Sequence, residues 1–282
     1  MQEQQDKYDL GLNADLAMWM RSPMARRRVL QMGAAGLGLL LAGCQAITSS
    51  DQAQPGGAPP SGGSESSSVA YDCISTIPGE TAGPYPADGS QASLNALELS
   101  GIVRQDIRTS LSTNNTAGGA PLTIDFTLVN AADNCTPLEG YAIYAWHCTE
   151  DGNYSMYSEG FTDEDYLRGV QPTDADGKAS FQSIFPGCYT GRWPHIHFEI
   201  YPSLAEATGS ANAVQTSQLA MPESDCTTVY SDASYGNSAN NLSNITLATD
   251  NIFSDGYDLQ MATVTGNATD GYTAQLTVGI AV

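Results

Sequence analysis

From residue 71 onward, apolar and polar side chains alternate with period two. Leu122, Ile124, Phe126 and Leu128 share one face of a strand, and Thr123, Asp125 and Thr127 share the other. Similar runs cover 141–148, 179–185, 194–201, 259–264 and 272–280. Turn pairs divide them: Asp176-Gly177, Pro186-Gly187, Asn240-Asn241 and Asp270-Gly271. No long stretch has a period of 3.6. Short strands with turn signals predict an all-β antiparallel sandwich, with a barrel as the other closure, in a single domain over 71–282.

The chain before that domain reads as address and tether. Arg26, Arg27 and Arg28 precede a mostly apolar run that ends at Leu41-Ala42-Gly43-Cys44. Basic, apolar and small residues in that order predict an export signal over 24–43. The arginine block resembles a twin-arginine signal, and the Cys44 tetrapeptide resembles a lipobox with Cys44 as the lipid-attachment residue. Residues 1–23 are then an upstream extension or a mis-assigned start. Between Ser49 and Ser68, fourteen of twenty residues are Gly, Ser or Pro, so 44–70 is expected to be a lipid-anchored flexible linker. The expected product is an exported cell-envelope lipoprotein.

Charge narrows the partners. Ten Lys and Arg against 31 Asp and Glu give a formal charge of −21, which excludes a phosphate backbone as ligand. Membrane contact is expected through the lipid anchor only. Oligomeric state is not legible. Of six cysteines, Cys73, Cys135, Cys148, Cys188 and Cys226 remain once Cys44 is acylated. An oxidising compartment then allows at most two disulfides and one spare thiol. No C-x-x-C pair points to a thiolate metal site.

Candidate chemistry gathers in Pro194-His195-Ile196-His197-Phe198-Glu199-Ile200-Tyr201. On a strand, His195 and His197 share a face and stand ~6.7 Å apart along the chain, so both imidazoles can converge on one metal ion. Ile196, Phe198 and Ile200 form the opposite, apolar face. Two of the three histidines make this pair. The third, His147, follows Trp146 on an expected strand and reads as a hydrogen-bonded core residue. Tyr189 lies six residues upstream in a Gly/Pro-bounded turn, and Tyr154 lies on a loop after another strand. Asp174-Ala175-Asp176-Gly177 lacks the spacing of a calcium loop and reads as a hairpin turn.

Taken in order, Glu80-Thr81-Ala82-Gly83-Pro84-Tyr85, Trp146-His147-Cys148, Gly152-Asn153-Tyr154-Ser155, Leu167-Arg168-Gly169, Pro186-Gly187-Cys188-Tyr189, Arg192, Pro194-His195-Ile196-His197 and Thr216-Ser217-Gln218-Leu219 resemble the intradiol ring-cleavage dioxygenases. The resemblance implies one Fe(III) per chain, bound by Tyr154, Tyr189, His195 and His197. It also implies a catecholic substrate, cleaved by dioxygen between its hydroxylated carbons to a cis,cis-muconate-type diacid. Tyr189 is the ligand expected to leave when substrate binds. Arg192 is expected to stabilise charge on the ring, and Gln218, Gly83, Pro84 and Tyr85 to line the pocket. Hard phenolate oxygens suit Fe(III). Two positions depart from the pattern: Cys188 stands where relatives carry a bulky aromatic, and Met156 where they carry glycine. Residues 71–95 are too short for the helical dimerisation segment of the cytosolic members. The competing expectations are a non-catalytic envelope lipoprotein on the same fold and a histidine-only zinc or copper site.

Overall fold

Nine strands form two sheets in a computed structural model that describes residues 73–91 and 94–282. The export signal, Cys44 and the linker fall outside those residues. The strands are β1 (Pro121–Asn130), β2 (Thr136–Pro137), β3 (Ala142–Trp146), β4 (Arg168–Pro172), β5 (Lys178–Ile184), β6 (His195–Tyr201), β7 (Gln215–Ala220), β8 (Thr263–Asn267) and β9 (Gly271–Ile280). One sheet runs β2-β1-β9-β8, with β5 also paired to β1, and the other runs β4-β3-β6-β7. Every pairing is antiparallel except β1 with β9. A parallel pair needs a long crossover, and the whole intervening domain supplies it here.

The alternation read from sequence holds in both sheets. Leu122, Ile124, Phe126 and Leu128 enter the core between the sheets, where they meet Ile143 and Ala145 of β3 and Ile196, Phe198 and Ile200 of β6. The Phe126 and Phe198 rings lie 5.0 Å apart. On the far face of the second sheet, Ala142, Tyr144, Trp146 and Tyr201 belong to a separate buried cluster with Tyr85, Tyr154 and Tyr157. Both faces of β6 are therefore buried.

Two expectations are corrected. The strand foreseen over 259–264 begins only at Thr263, because the Gln260 and Met261 amides donate to the Tyr257 carbonyl and close a turn. Among the described residues a single disulfide forms, Cys73–Cys135. Cys148, Cys188 and Cys226 all remain as buried thiols rather than one spare. Between β7 and β8 the chain builds two short helices, α1 (Glu223–Val229) and α2 (Ser238–Leu242), which periodicity did not foretell. Pro222 starts α1, acidic residues occupy its first turn, and Cys226 and Val229 are buried.

Candidate metal centre

His195 and His197 project from β6 into the second cluster, as their spacing requires. The His195 Nδ1–H donates to the Trp193 carbonyl at 2.5 Å, which leaves Nε2 with a free lone pair. That Nε2 lies 3.0 Å from the Nε2 of His197 and 3.4 Å from the Tyr189 hydroxyl. The His197 ring stacks on Trp146 with centroids 4.9 Å apart and planes 4° apart, which fixes its aim. Trp146 reaches that position because it is the Cα partner of His197 across the β3–β6 pair.

Tyr154 completes the set. Its ring is buried between Tyr85, stacked at 4.6 Å, and Tyr189, edge-on at 5.8 Å. Its hydroxyl is buried with no hydrogen bond of good geometry among the described residues. An orphaned buried hydroxyl costs about 1–3 kcal/mol, so it points to a missing partner. Burial raises the Tyr154 phenol well above its ordinary value, and the neighbouring Tyr189 adds to the shift. A phenolate here therefore needs a cation beside it. Burial also lowers both imidazoles, with the Arg192 charge contributing, and a neutral imidazole is the form that ligates. Two imidazoles with adjoining Nε2 atoms, the Tyr189 hydroxyl beside them and the Tyr154 ring 6.4 Å from that of His197 make a donor set that fits a hard trivalent ion. No cluster of three or more His, Cys, Asp or Glu side chains suited to a metal occurs among the described residues; half of this donor set is phenolic.

The other expected residues lie around that point. Arg192 is fully buried. Its Nε donates to Asp250 Oδ2 at 3.0 Å, and its NH2 donates to Gln218 Oε1 at 2.6 Å. The Gln218 Nε2 donates to the Thr81 carbonyl at 3.0 Å, so Gln218 ties Arg192 to the segment carrying Gly83, Pro84 and Tyr85. Gly83 turns that segment at φ 72°, in the left-handed region glycine favours. Beyond it, the Tyr85 carbonyl accepts from Arg168 and the Pro84 carbonyl from Gln91. His147 is a core residue: Nδ1 meets the Cys148 carbonyl and Nε2 the Ser183 hydroxyl. Met156 sits at φ 69°, a strained conformation for a side chain and the reason glycine suits that position.

Two supports went unseen in the sequence, and the role of a third, Arg168, was not read from its motif. Asp250 accepts from Arg192, Trp193, Ile252 and Phe253 through its two oxygens. Burial would raise its carboxyl, but the Arg192 charge and the amides outweigh that and hold it below the usual range. Ser238 and Asn241 of α2 hold the turn before Tyr189, at the Cys188 amide and carbonyl. Arg168, fully buried, donates to the Tyr85, Pro86 and Ser155 carbonyls and so clamps the Tyr154 loop to the Tyr85 segment. Asp250 lies 58 positions from Arg192, and no local motif marks it.

A family model described as "Dioxygenase" matches residues 100–204, a span that includes Tyr154, Tyr189, His195 and His197. Chlorocatechol 1,2-dioxygenase of Rhodococcus opacus is 44% identical over 54 residues, which cover 19% of this chain and 21% of that protein. The match thus spans about a fifth of the relative's length. The solved structure of an intradiol ring-cleavage dioxygenase from Tetranychus urticae superposes with a TM-score of 0.52 at 23% identity, covering 64% of this chain and 87% of that one. At that identity the likeness establishes a shared fold.

Proposed function

We propose that the chain is an intradiol ring-cleavage dioxygenase and cleaves a catecholic ring with dioxygen, using one ferric ion held by Tyr154, Tyr189, His195 and His197. The observation that carries this reading is the convergence of two Nε2 atoms 3.0 Å apart with a nearby phenol and an orphaned buried hydroxyl. When bound, ferric iron would make a chelated catecholate electron-rich toward dioxygen.

The residues of the chain divide the remaining work. Tyr189 is half-buried, whereas Tyr154, His195 and His197 are buried. It is therefore the donor able to swing outward, and its Oη can take a proton from an incoming catechol hydroxyl. Arg192 presents a fixed positive charge where the ring becomes negative, and its bonds to Asp250 and Gln218 set its orientation in advance. Stacked Tyr85 and Tyr154 supply an apolar wall. Export and acylation at Cys44 belong to the same proposal. A Cys44→Ser chain should leave the membrane fraction, and one that stays there refutes the anchor.

The test is spectroscopic. The full chain loaded with iron should hold about one ion and show a visible tyrosinate-to-iron band. Tyr154→Phe or His197→Ala should lose the ion and oxygen uptake with catechol. A chain that stays colourless after loading, or variants that keep turning over, would overturn the assignment.

A further inference from the structure

The proposed reaction asks one tyrosine ligand to stay while the other leaves and returns, and the two are supported differently. The Tyr154 amide donates to the Ser158 hydroxyl at 2.9 Å, and Arg168 donates to the neighbouring Ser155 carbonyl at 2.9 Å. The Tyr154 ring is buried against Tyr85. Backbone and ring are therefore both fixed. Tyr189 has an equally fixed backbone but a half-buried ring.

That backbone is held by α2. The Asn241 Nδ2 donates to the Cys188 carbonyl at 2.7 Å, and the Asn241 Oδ1 accepts from the Thr190 hydroxyl at 3.5 Å. One side chain thus bridges the residues on either side of Tyr189. Ser238, at the start of the same helix, accepts from the Cys188 amide at 3.0 Å and donates to the Glu150 carbonyl at 3.2 Å. Gly152 packs on Tyr189 itself, so closely that an added Cβ would sit 3.0 Å from the Tyr189 Cβ and 3.3 Å from its Cα. With its neighbours pinned, Tyr189 moves through its side-chain torsions. A hop between staggered χ1 wells carries the hydroxyl away and leaves the turn in place.

From this we infer that Asn241 and Ser238 are positioning residues for Tyr189: by pinning its turn they confine ligand exchange to a side-chain swing and return the phenol to the same place after each cycle. The inference rests on the proposed iron site and on Tyr189 as the departing ligand. Both residues act through the backbone of Cys188 and Thr190. The pin is also a brake on substrate binding, because a catechol must displace a phenol that is held in register.

The experiment uses the iron-loaded full chain and needs no turnover. Asn241→Ala should keep about one iron per chain at saturating iron, while its resting tyrosinate band falls toward about half the wild-type intensity per iron as Tyr189 drifts off. Catechol titrated without oxygen should bind this variant at least about threefold more tightly than wild type, since no phenol is left to displace. The two catechol complexes should then share one spectrum. General damage to the domain would weaken catechol binding instead. If Asn241→Ala does not fold, Ser238→Ala takes its place with the same expectation. An unchanged band intensity, weaker catechol binding or loss of the iron itself in the folded variant overturns the inference while leaving the iron reading intact. A wild-type chain that never develops the band sinks both.

Discussion

The two faces of β6 are equally dry and chemically opposite. Ile196, Phe198 and Ile200 look into a core of aliphatic and aromatic carbon, where every contact is satisfied by contact alone. His195, His197, Glu199 and Tyr201 look into a cluster where each side chain needs a partner. Some have one: the Tyr201 hydroxyl donates to Glu199 at 2.6 Å. Others have none among the described residues, notably the Tyr154 hydroxyl and His197 Nδ1. One strand thus carries a face of saturated apolar contacts and a face whose polar groups are only partly satisfied among the described residues. Under the proposed iron binding, burial of the second face would keep water from competing for the ligands.

That division can be broken from the apolar side first. Phe198→Ala removes a fully buried ring packed on Phe126 and should cost about 3–5 kcal/mol in chemical denaturation of the iron-free chain. A cost under about 1 kcal/mol would show that the two sheets are not the main stabilising contact.

An effect of intermediate size comes from His147. Burial lowers its pKa to about 4, against an ordinary value near 6.5. The unfolded chain therefore binds the extra proton and the folded chain refuses it between those values. Stability should fall as pH drops from 6.5 toward 4, by up to about 3 kcal/mol. His147→Gln should flatten that part of the profile relative to wild type. Parallel profiles in the two proteins would contradict the burial argument.

The smallest effect has the most telling sign. Tyr154→Phe deletes an unsatisfied buried hydroxyl, so the iron-free chain should gain about 0.5–1 kcal/mol even as iron binding is lost. A clear loss of stability in the same melt would mean that the hydroxyl already has a partner.

Sequence legibility follows the same division. β1, β6 and β9 alternate plainly because their inward side chains are hydrocarbon, and their expected spans end within two residues of the observed ones. β4 and β7 escaped notice because their buried positions include Arg168, Ser217 and Gln218. Those polar residues serve the site, and they erase the hydrophobic rhythm that marks a strand. The histidine pair was visible from spacing, whereas the tyrosines emerged only through resemblance, since a loop has no periodicity to place Tyr154. Asp250 and α2 were invisible for another reason. They reach the site through the long connection between β7 and β8, and their value lies in contacts with residues some fifty positions away.

The bond between Cys73 and Cys135 also has a mechanical side. Cys73 is where the described domain begins, and Cys135 sits in the turn between β1 and β2. A pull on Cys73 from upstream therefore passes straight into the edge of the five-stranded sheet. The stretch from Glu80 to Tyr85, which runs past the donor cluster, is shunted out of the load path. A molecule held by its leading end could be tugged without disturbing the geometry of its reacting groups.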